Sequence, residues 1–166
     1  MEKLFPLAEK AAALLRARKQ TIAVAESSAG GLINAALLAL PGASAYCKGG
    51  LVAYTRDAML GLKDVTPETL AGLRGGTEEN AMFRARTIRA RLNADWGLSE
   101  SGAAGPTGSR YGHAAGHCVL AVSGGIEKSM TLETASADRI ANMYAFGETA
   151  LKLLIEALEK APPAKT

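Results

Sequence analysis

The stretch AESSAGG at residues 25–31 constrains this chain most, because it joins a strand pattern directly to a helix pattern. Residues 21–24 (TIAV) have the composition of a buried strand, and residues 32–40 form an apolar, helix-like run. The serine and glycine pairs between them predict a tight turn into a helix N-terminus. Because the first N–H groups of a helix lack intrahelical partners, we expect them to point outward and to favour an anion or an oxyanion. Ser27 and Ser28 are then either helix caps or a nucleophile.

The composition is that of a single globular domain in a reducing compartment. The chain has 166 residues, 48% of them hydrophobic and 21% charged, which is enough for one core. A net charge of +3 does not indicate a nucleic-acid partner. Cys47 and Cys118 lie far apart without a CxxC spacing, as is usual for cytosolic proteins. Since the sequence shows no signal-peptide pattern and no apolar run of about 18 residues, we predict a cytoplasmic protein with no membrane partner.

Helix and strand patterns alternate along the chain. Helices are predicted over residues 6–18, 31–40, 56–62 and 77–93 and from a Ser136 cap to residue 158. Strands are predicted over residues 21–25, 45–54, 97–101, 117–122 and 126–132, with the last two joined in a hairpin by Gly124-Gly125. This order predicts an α/β fold, a three-layer α/β/α sandwich on a mixed β-sheet. We expect one domain over residues 1–161 and a disordered tail over residues 162–166.

A second glycine-rich segment, GAAGPTGS at residues 102–109, follows a predicted strand. If that strand runs parallel to the one at residues 21–25, both turns lie at the carboxyl edge of the sheet, where open α/β sheets bind ligands. Glycines at such an edge let backbone N–H groups approach a ligand closely. The segment matches neither the Walker nor the Rossmann pattern. Together, the two segments predict a shared pocket.

These segments resemble the CinA C-terminal domain family, the nicotinamide-nucleotide amidohydrolases. ESSAGG at residues 26–31 is similar to the family turn ESCTGG, and GAAGPTG at residues 102–108 is similar to GIAGPxG. GLVAYT at residues 50–55, GGTEE at residues 75–79 and ADR at residues 137–139 match further family motifs in the same order. The resemblance therefore spans nearly the whole chain.

The resemblance implies a homodimeric domain that hydrolyses the carboxamide of nicotinamide mononucleotide, releasing ammonia without a metal or an organic cofactor. The family uses Ser–Lys chemistry, which places the nucleophile at Ser27 and a proton-shuttling or orienting tyrosine at Tyr54. A serine nucleophile needs a neighbouring base, and amide hydrolysis needs an oxyanion site. The residues implied to bind the nucleotide are Glu26, Ser28, Gly30, Gly31, Gly102, Ala104, Gly105, Pro106, Thr107 and Gly108.

The catalytic lysine is the point at which this chain departs from the family. The family pattern is YSNExK, whereas residues 54–59 are YTRDAM, so Met59 stands at the lysine position. A thioether does not accept a proton, and Arg56 stays protonated, so neither replaces a lysine base. Three substitutes for the lysine base remain. One is Lys63, provided that a helix continues through Gly61, and the others are Lys48 and a histidine. The alternatives are an active hydrolase, an impaired nucleotide-binding relative and a dimerising interaction module.

Three further groups of residues have alternative interpretations. Tyr54 is either a catalytic residue or a strand-end aromatic that packs its ring.

His113 and His117 are candidates for substrate binding or for the base of Ser27, and His117, which begins a strand, is the one expected to have a structural role. A metal site formed by the two histidines with Cys118 lacks a suitably spaced fourth ligand. Four arginines of the helix at 77–93 do not share one face, and we interpret them as solvated flanks: Arg84, Arg86, Arg89 and Arg91.

Overall fold

The computed structural model describes residues 1–63 and 65–163 and contains one five-stranded sheet. Its strands are β1 (Ile22–Glu26), β2 (Cys47–Val52), β3 (Trp96–Gly102), β4 (His117–Ser123) and β5 (Glu127–Glu133), in the order β2-β1-β3-β4-β5. β1 is parallel to β2 and β3, whereas β4 is antiparallel to both of its neighbours, β3 and β5. The predicted mixed sheet with its hairpin at Gly124-Gly125 is confirmed.

The described residues form five α-helices, and four of these cover the two faces of the sheet. The five helices are α1 (Phe5–Ala17), α2 (Leu32–Leu38), α3 (Arg56–Leu60), α4 (Glu78–Arg91) and α5 (Arg139–Lys160). α1, α2 and α5 pack together on one face, and α4 packs on the other, which gives the predicted three-layer α/β/α sandwich. No helix in the described part of the chain is long and apolar enough to cross a bilayer.

The alternation of side chains along the strands builds a different core on each face. On the α1/α2/α5 face the strands contribute large side chains such as Val24, Leu98 and Leu120. On the α4 face they contribute small ones, and a Cβ atom at Gly97 would lie 2.0 Å from the carbonyl oxygen of Ala85. The α4 backbone therefore lies very close to β3. This packing brings side chains of α4 to the carboxyl edge of the central strands.

The observed N-cap residue of a helix agrees with the predicted one where the sequence offers a single good cap. It differs where several capping residues lie close together. Thr77 caps α4 by accepting a hydrogen bond from the N–H of Asn80, 3.3 Å. The predicted Ser136 cap of the last helix is wrong, because Asp138 is the cap and accepts from the N–H of Ala141 at 3.0 Å. Of the predicted tail, Pro162 and Pro163 are exposed, and residues 164–166 lie outside the described residues.

Candidate functional site

The turn that follows β1 is held to the neighbouring strand by the buried carboxylate of Glu100. Glu100 Oε2 accepts hydrogen bonds from the N–H groups of Ser27 (3.0 Å) and Ala29 (2.9 Å), and Oε1 accepts a short hydrogen bond from Ser28 Oγ. Glu100 is fully buried and lies on β3, which pairs with β1 in parallel register. The position of Ser27 is therefore set by a side chain from another strand.

A second buried carboxylate, that of Glu26, occupies the N-terminus of α2. Its Oε2 accepts from the N–H groups of Gly31 (2.9 Å) and Ile33 (3.1 Å), and its Oε1 accepts from Asn34 N and Nδ2, both at 2.7 Å. Burial raises the pKa of Glu26, and the hydrogen bonds from Asn34 and Ile33 oppose that rise. The expectation that these N–H groups point outward to receive an anion is wrong, since Glu26 already accepts from them.

A cavity of about 500 Å³ opens at the carboxyl edge of β1 and β3. Ser27 lines it together with the segment after β3, so the structure brings the two glycine- and hydroxyl-bearing segments to one place. The predicted site residues found in its lining are Ser27, Tyr54, Gly102, Ala104, Gly105, Thr107 and Gly108. Five predicted site residues are not among the described residues that line the cavity: Glu26, Ser28, Gly30, Gly31 and Pro106. Of these, Glu26 and Ser28 hold the turn rather than face the cavity.

Tyr54 lies at the mouth of the cavity with its side chain exposed. It is 57% exposed, and its hydroxyl accepts a hydrogen bond from Arg139 Nη2 at 3.1 Å. Arg139 Nη1 donates to the carbonyl oxygen of Gly105 at 2.7 Å, so it joins the tyrosine to the glycine-rich loop. The interpretation of Tyr54 as a strand-end aromatic that packs its ring disagrees with this exposure. Sequence reasoning missed Arg139 as a site residue, although the ADR motif contains it.

Met59 lies in the cavity wall, whereas the two candidate replacement lysines do not. Met59 is 6% exposed and comes from α3, which ends at Leu60. Lys63 lies beyond that helix and is exposed, as is Lys48 on the edge strand β2. No lysine is among the described residues that line the cavity. The structure therefore places neither lysine where it could replace the family base.

His113 and His117 both line the cavity, and their rings stack with centroids 4.0 Å apart. His117 Nε2 lies 2.8 Å from the carbonyl oxygen of Gly76, which only accepts, so this nitrogen carries a hydrogen. Its Nδ1 makes a short contact with the carboxylate of Glu133. His117 is therefore engaged at both nitrogens, in agreement with its structural interpretation.

His113 also lines the cavity. Burial first, and then the neighbouring His117, lower the pKa of its imidazole. Its Nδ1 lies 3.3 Å from Ser109 Oγ. Within the described residues, no group of three or more histidine, cysteine or acidic side chains is arranged to hold a metal ion.

Arg84 of α4 is buried, so its interpretation as a solvated flank is wrong. It is 7% exposed and lines the cavity, and its Nη2 donates to the carbonyl oxygen of Ala53 at 3.1 Å. Its Nη1 is buried without a hydrogen-bond partner among the described residues. The sequence does contain a signal, because Arg84 lies three residues after Ala81 and four before Ile88, on the buried stripe of the helix.

Comparison with known proteins identifies relatives over almost the full chain. Residues 4–158 match the family model of the CinA C-terminal domain. A CinA-like protein from Thermosynechococcus vestitus is 43% identical over 103 residues, 62% of this chain and 25% of that protein. A CinA-like protein from Gloeobacter violaceus is 40% identical over 118 residues, 71% of this chain and 28% of that protein. This chain therefore spans about a quarter of the length of these curated relatives.

Solved structures with the same fold extend the similarity to three dimensions. The competence damage-inducible protein A from Klebsiella pneumoniae superposes with a TM-score of 0.87 at 28% identity, covering 95% of this chain and 98% of that one. The competence/damage inducible protein CihA from Agrobacterium tumefaciens has a TM-score of 0.85 at 29% identity, covering 95% and 96%. The whole three-layer domain is thus shared with these proteins.

Proposed function

This chain belongs to the CinA C-terminal domain family, and from that premise we propose that its cavity binds nicotinamide mononucleotide and that Ser27 attacks the carboxamide. The observation that carries this proposal is that Ser27 and the loop at residues 102–108 line one cavity of about 500 Å³. That volume lies within the range typical of small-molecule sites, roughly 300–1,000 Å³. The family resemblance also supports a cytoplasmic homodimer.

The charges at the cavity mouth suit the phosphate of a mononucleotide. Three exposed arginines, Arg56, Arg110 and Arg139, line the cavity there. Guanidinium groups bind phosphate through two parallel hydrogen bonds, and the backbone of a glycine-rich loop can approach phosphate oxygens closely. With the phosphate at the mouth, the pyridine ring extends inward toward Ser27.

The reaction at Ser27 is amide hydrolysis through an ester. Ser27 Oγ bonds to the carboxamide carbon while its hydroxyl proton goes to a base, and that proton then leaves with the amide nitrogen as ammonia. Water next cleaves the ester, releasing the carboxylic acid and restoring the hydroxyl. Among the described cavity residues, we assign this proton to the imidazole of His113, in place of the absent family lysine.

Met59 favours a second candidate function, nucleotide binding without turnover. Met59 lines the cavity where the family resemblance predicts a lysine, and a thioether does not accept a proton. In this alternative the cavity and its cationic mouth are retained, and only the chemical step is lost.

Ammonia release and binding of nicotinamide mononucleotide, measured on the same protein, separate the two functions. For a hydrolase we expect ammonia release by the wild type, its loss in Ser27→Ala, and retained binding in that variant. Binding without ammonia release, with release gained in Met59→Lys, establishes the second function. Lys63→Met, whose side chain lies outside the cavity, is the matched control and should behave as the wild type. Absence of binding contradicts both functions.

A further inference from the structure

The cavity lining contains a buried cation, Arg84, whose hydrogen-bonding capacity the protein uses only in part. Arg84 is 7% exposed, and its Nη1 has no hydrogen-bond partner among the described residues although it is buried. A buried arginine normally donates to acceptors with most of its five N–H groups, since an unpaired buried donor is destabilising. Burial lowers the pKa of Arg84, and the charge of Glu100 opposes that change. Nη2 of the guanidinium has a partner, and Nη1 has none among the described residues.

The contacts of Arg84 connect this cation to the turn that holds Ser27. Arg84 Nη2 donates to the carbonyl oxygen of Ala53, and the N–H of Ala53 donates to the carbonyl oxygen of Glu26 at 2.9 Å. Glu26 directly precedes Ser27 in the chain. Glu100, whose charge acts on Arg84, also accepts the hydrogen bond of the Ser27 N–H. Both connections lead from the guanidinium to the same turn.

Arg84 also lies next to the position at which the family lysine is missing. Met59 and Arg84 both line the cavity, and both also line a small apolar crevice behind it, together with Leu51 and Ile88. The methionine thus contributes an apolar surface to this wall, and the arginine contributes a charge. Because an arginine stays protonated, it supplies that charge without being able to act as a base.

We propose that Arg84 makes the inner end of the cavity a carboxylate-binding subsite, so that the site prefers a pyridine carboxylate over the corresponding carboxamide. This inference rests on the proposed function, which puts the reacting group of the pyridine at this end of the cavity. A carboxylate offers the Arg84 guanidinium two negatively charged oxygens, which an arginine binds through two parallel hydrogen bonds. A carboxamide offers one uncharged acceptor oxygen, and its N–H donors cannot pair with a guanidinium.

The two ligands to compare are nicotinamide mononucleotide and nicotinate mononucleotide, the acid that forms when the carboxamide is hydrolysed. Calorimetric titration of the Ser27→Ala protein avoids turnover during the measurement. We expect the acid to bind at least about tenfold more tightly than the amide, because only the acid brings a negative charge and a second acceptor oxygen to Arg84. In Ser27→Ala combined with Arg84→Met this preference should disappear, and with Arg84→Lys part of it should remain.

The control is Arg86→Met on the same background. Arg86 lies on the same helix but is exposed and pairs with Glu127, so the preference for the acid should be unchanged. Circular dichroism establishes that each variant is folded, and the Arg84→Lys protein keeps the test valid if Arg84→Met does not fold.

The outcomes separate this inference from the proposed function. If the amide binds as tightly as the acid, or if Arg84→Met keeps the preference, the subsite proposal is overturned while nucleotide binding stands. If neither nucleotide binds, the proposed function fails. In that case thermal unfolding with free nicotinate and free nicotinamide tests the subsite by itself. An Arg84-dependent rise in Tm with nicotinate alone supports the subsite, and equal shifts overturn it.

Discussion

The carboxylate of Glu100 accepts a hydrogen bond from the backbone N–H of Ser27 at 3.0 Å, although the two residues are 73 positions apart in the chain. The same oxygen accepts from the N–H of Ala29, and the second oxygen accepts from Ser28 Oγ. The candidate nucleophile is therefore held by its own backbone and not by its side chain. This leaves the Ser27 side chain in the cavity lining, where it can react.

Two substitutions of Glu100 should show whether the hydrogen bonds to this turn or the negative charge of the carboxylate stabilises the folded protein. In Glu100→Gln the amide oxygen can accept from both N–H groups and the amide nitrogen can donate to Ser28 Oγ, so we expect stability close to that of the wild type. In Glu100→Leu two buried N–H groups, the Ser28 hydroxyl and the weakly donating Cys118 thiol lose their acceptor, and we expect the free energy of unfolding to fall by about 3 kcal/mol. Urea unfolding of both variants checks this expectation, and equal losses would contradict it.

Gly97 should not tolerate a side chain, because α4 passes directly over it. A Cβ atom there would lie 2.0 Å from the carbonyl oxygen of Ala85, which belongs to a helix backbone and cannot move away alone. We expect Gly97→Ala to lower the free energy of unfolding by about 2–4 kcal/mol. The matched control is Gly61→Ala, where the nearest atoms are 3.5 Å away and φ is −70°, so the change should be small or slightly stabilising. Thermal and urea unfolding measure both.

The ion pair between Arg86 and Glu127 should contribute a small, pH-dependent stability. Hydrogen bonds from Arg86 lower the pKa of Glu127 from 4.5 to about 2. Because the folded-state pKa is the lower one, this contribution is present above about pH 4.5 and is lost as the pH falls toward 2. Both side chains are substantially exposed, so we expect this contribution to be small. Arg86→Met should therefore be less stable than the wild type at pH 7 and equal to it near pH 2, as measured by urea unfolding.

Arg139 should matter for nucleotide binding because it links the cavity mouth to its loop. Its two Nη groups donate to Gly105 O and Tyr54 Oη, and the side chain lines the cavity. We expect Arg139→Met to weaken binding of nicotinamide mononucleotide by about tenfold or more, the effect of losing one charged hydrogen bond to phosphate. Lys152→Met, an exposed change on the same helix, is the control and should leave the Kd unchanged. An unchanged Kd in Arg139→Met would remove this arginine from the binding site.

Several features of the site could be predicted from local sequence because they depend on neighbouring residues. The strand, turn and helix around Ser27 follow from periodicity and from the serine and glycine pairs. The location of the second segment beside it follows from two parallel strands, since both end at the same edge. The cap at Thr77 is likewise local. The cap of α5 was not predictable, since Ser136 and Asp138 are both good caps and only packing selects between them.

The sequence by itself determined the family, the three-layer architecture and the two segments that line the cavity, because these depend on residue patterns within short stretches. Only the tertiary structure decided which charges reach the site. Glu26 and Glu100 accept from the N–H groups that the sequence left open for an anion. Lys48 and Lys63 remain outside, while Arg84 is buried inside beside Met59. These outcomes depend on how closely α4 packs on β3 and on the residue at which α3 ends. Neither of these features can be read from a local sequence pattern.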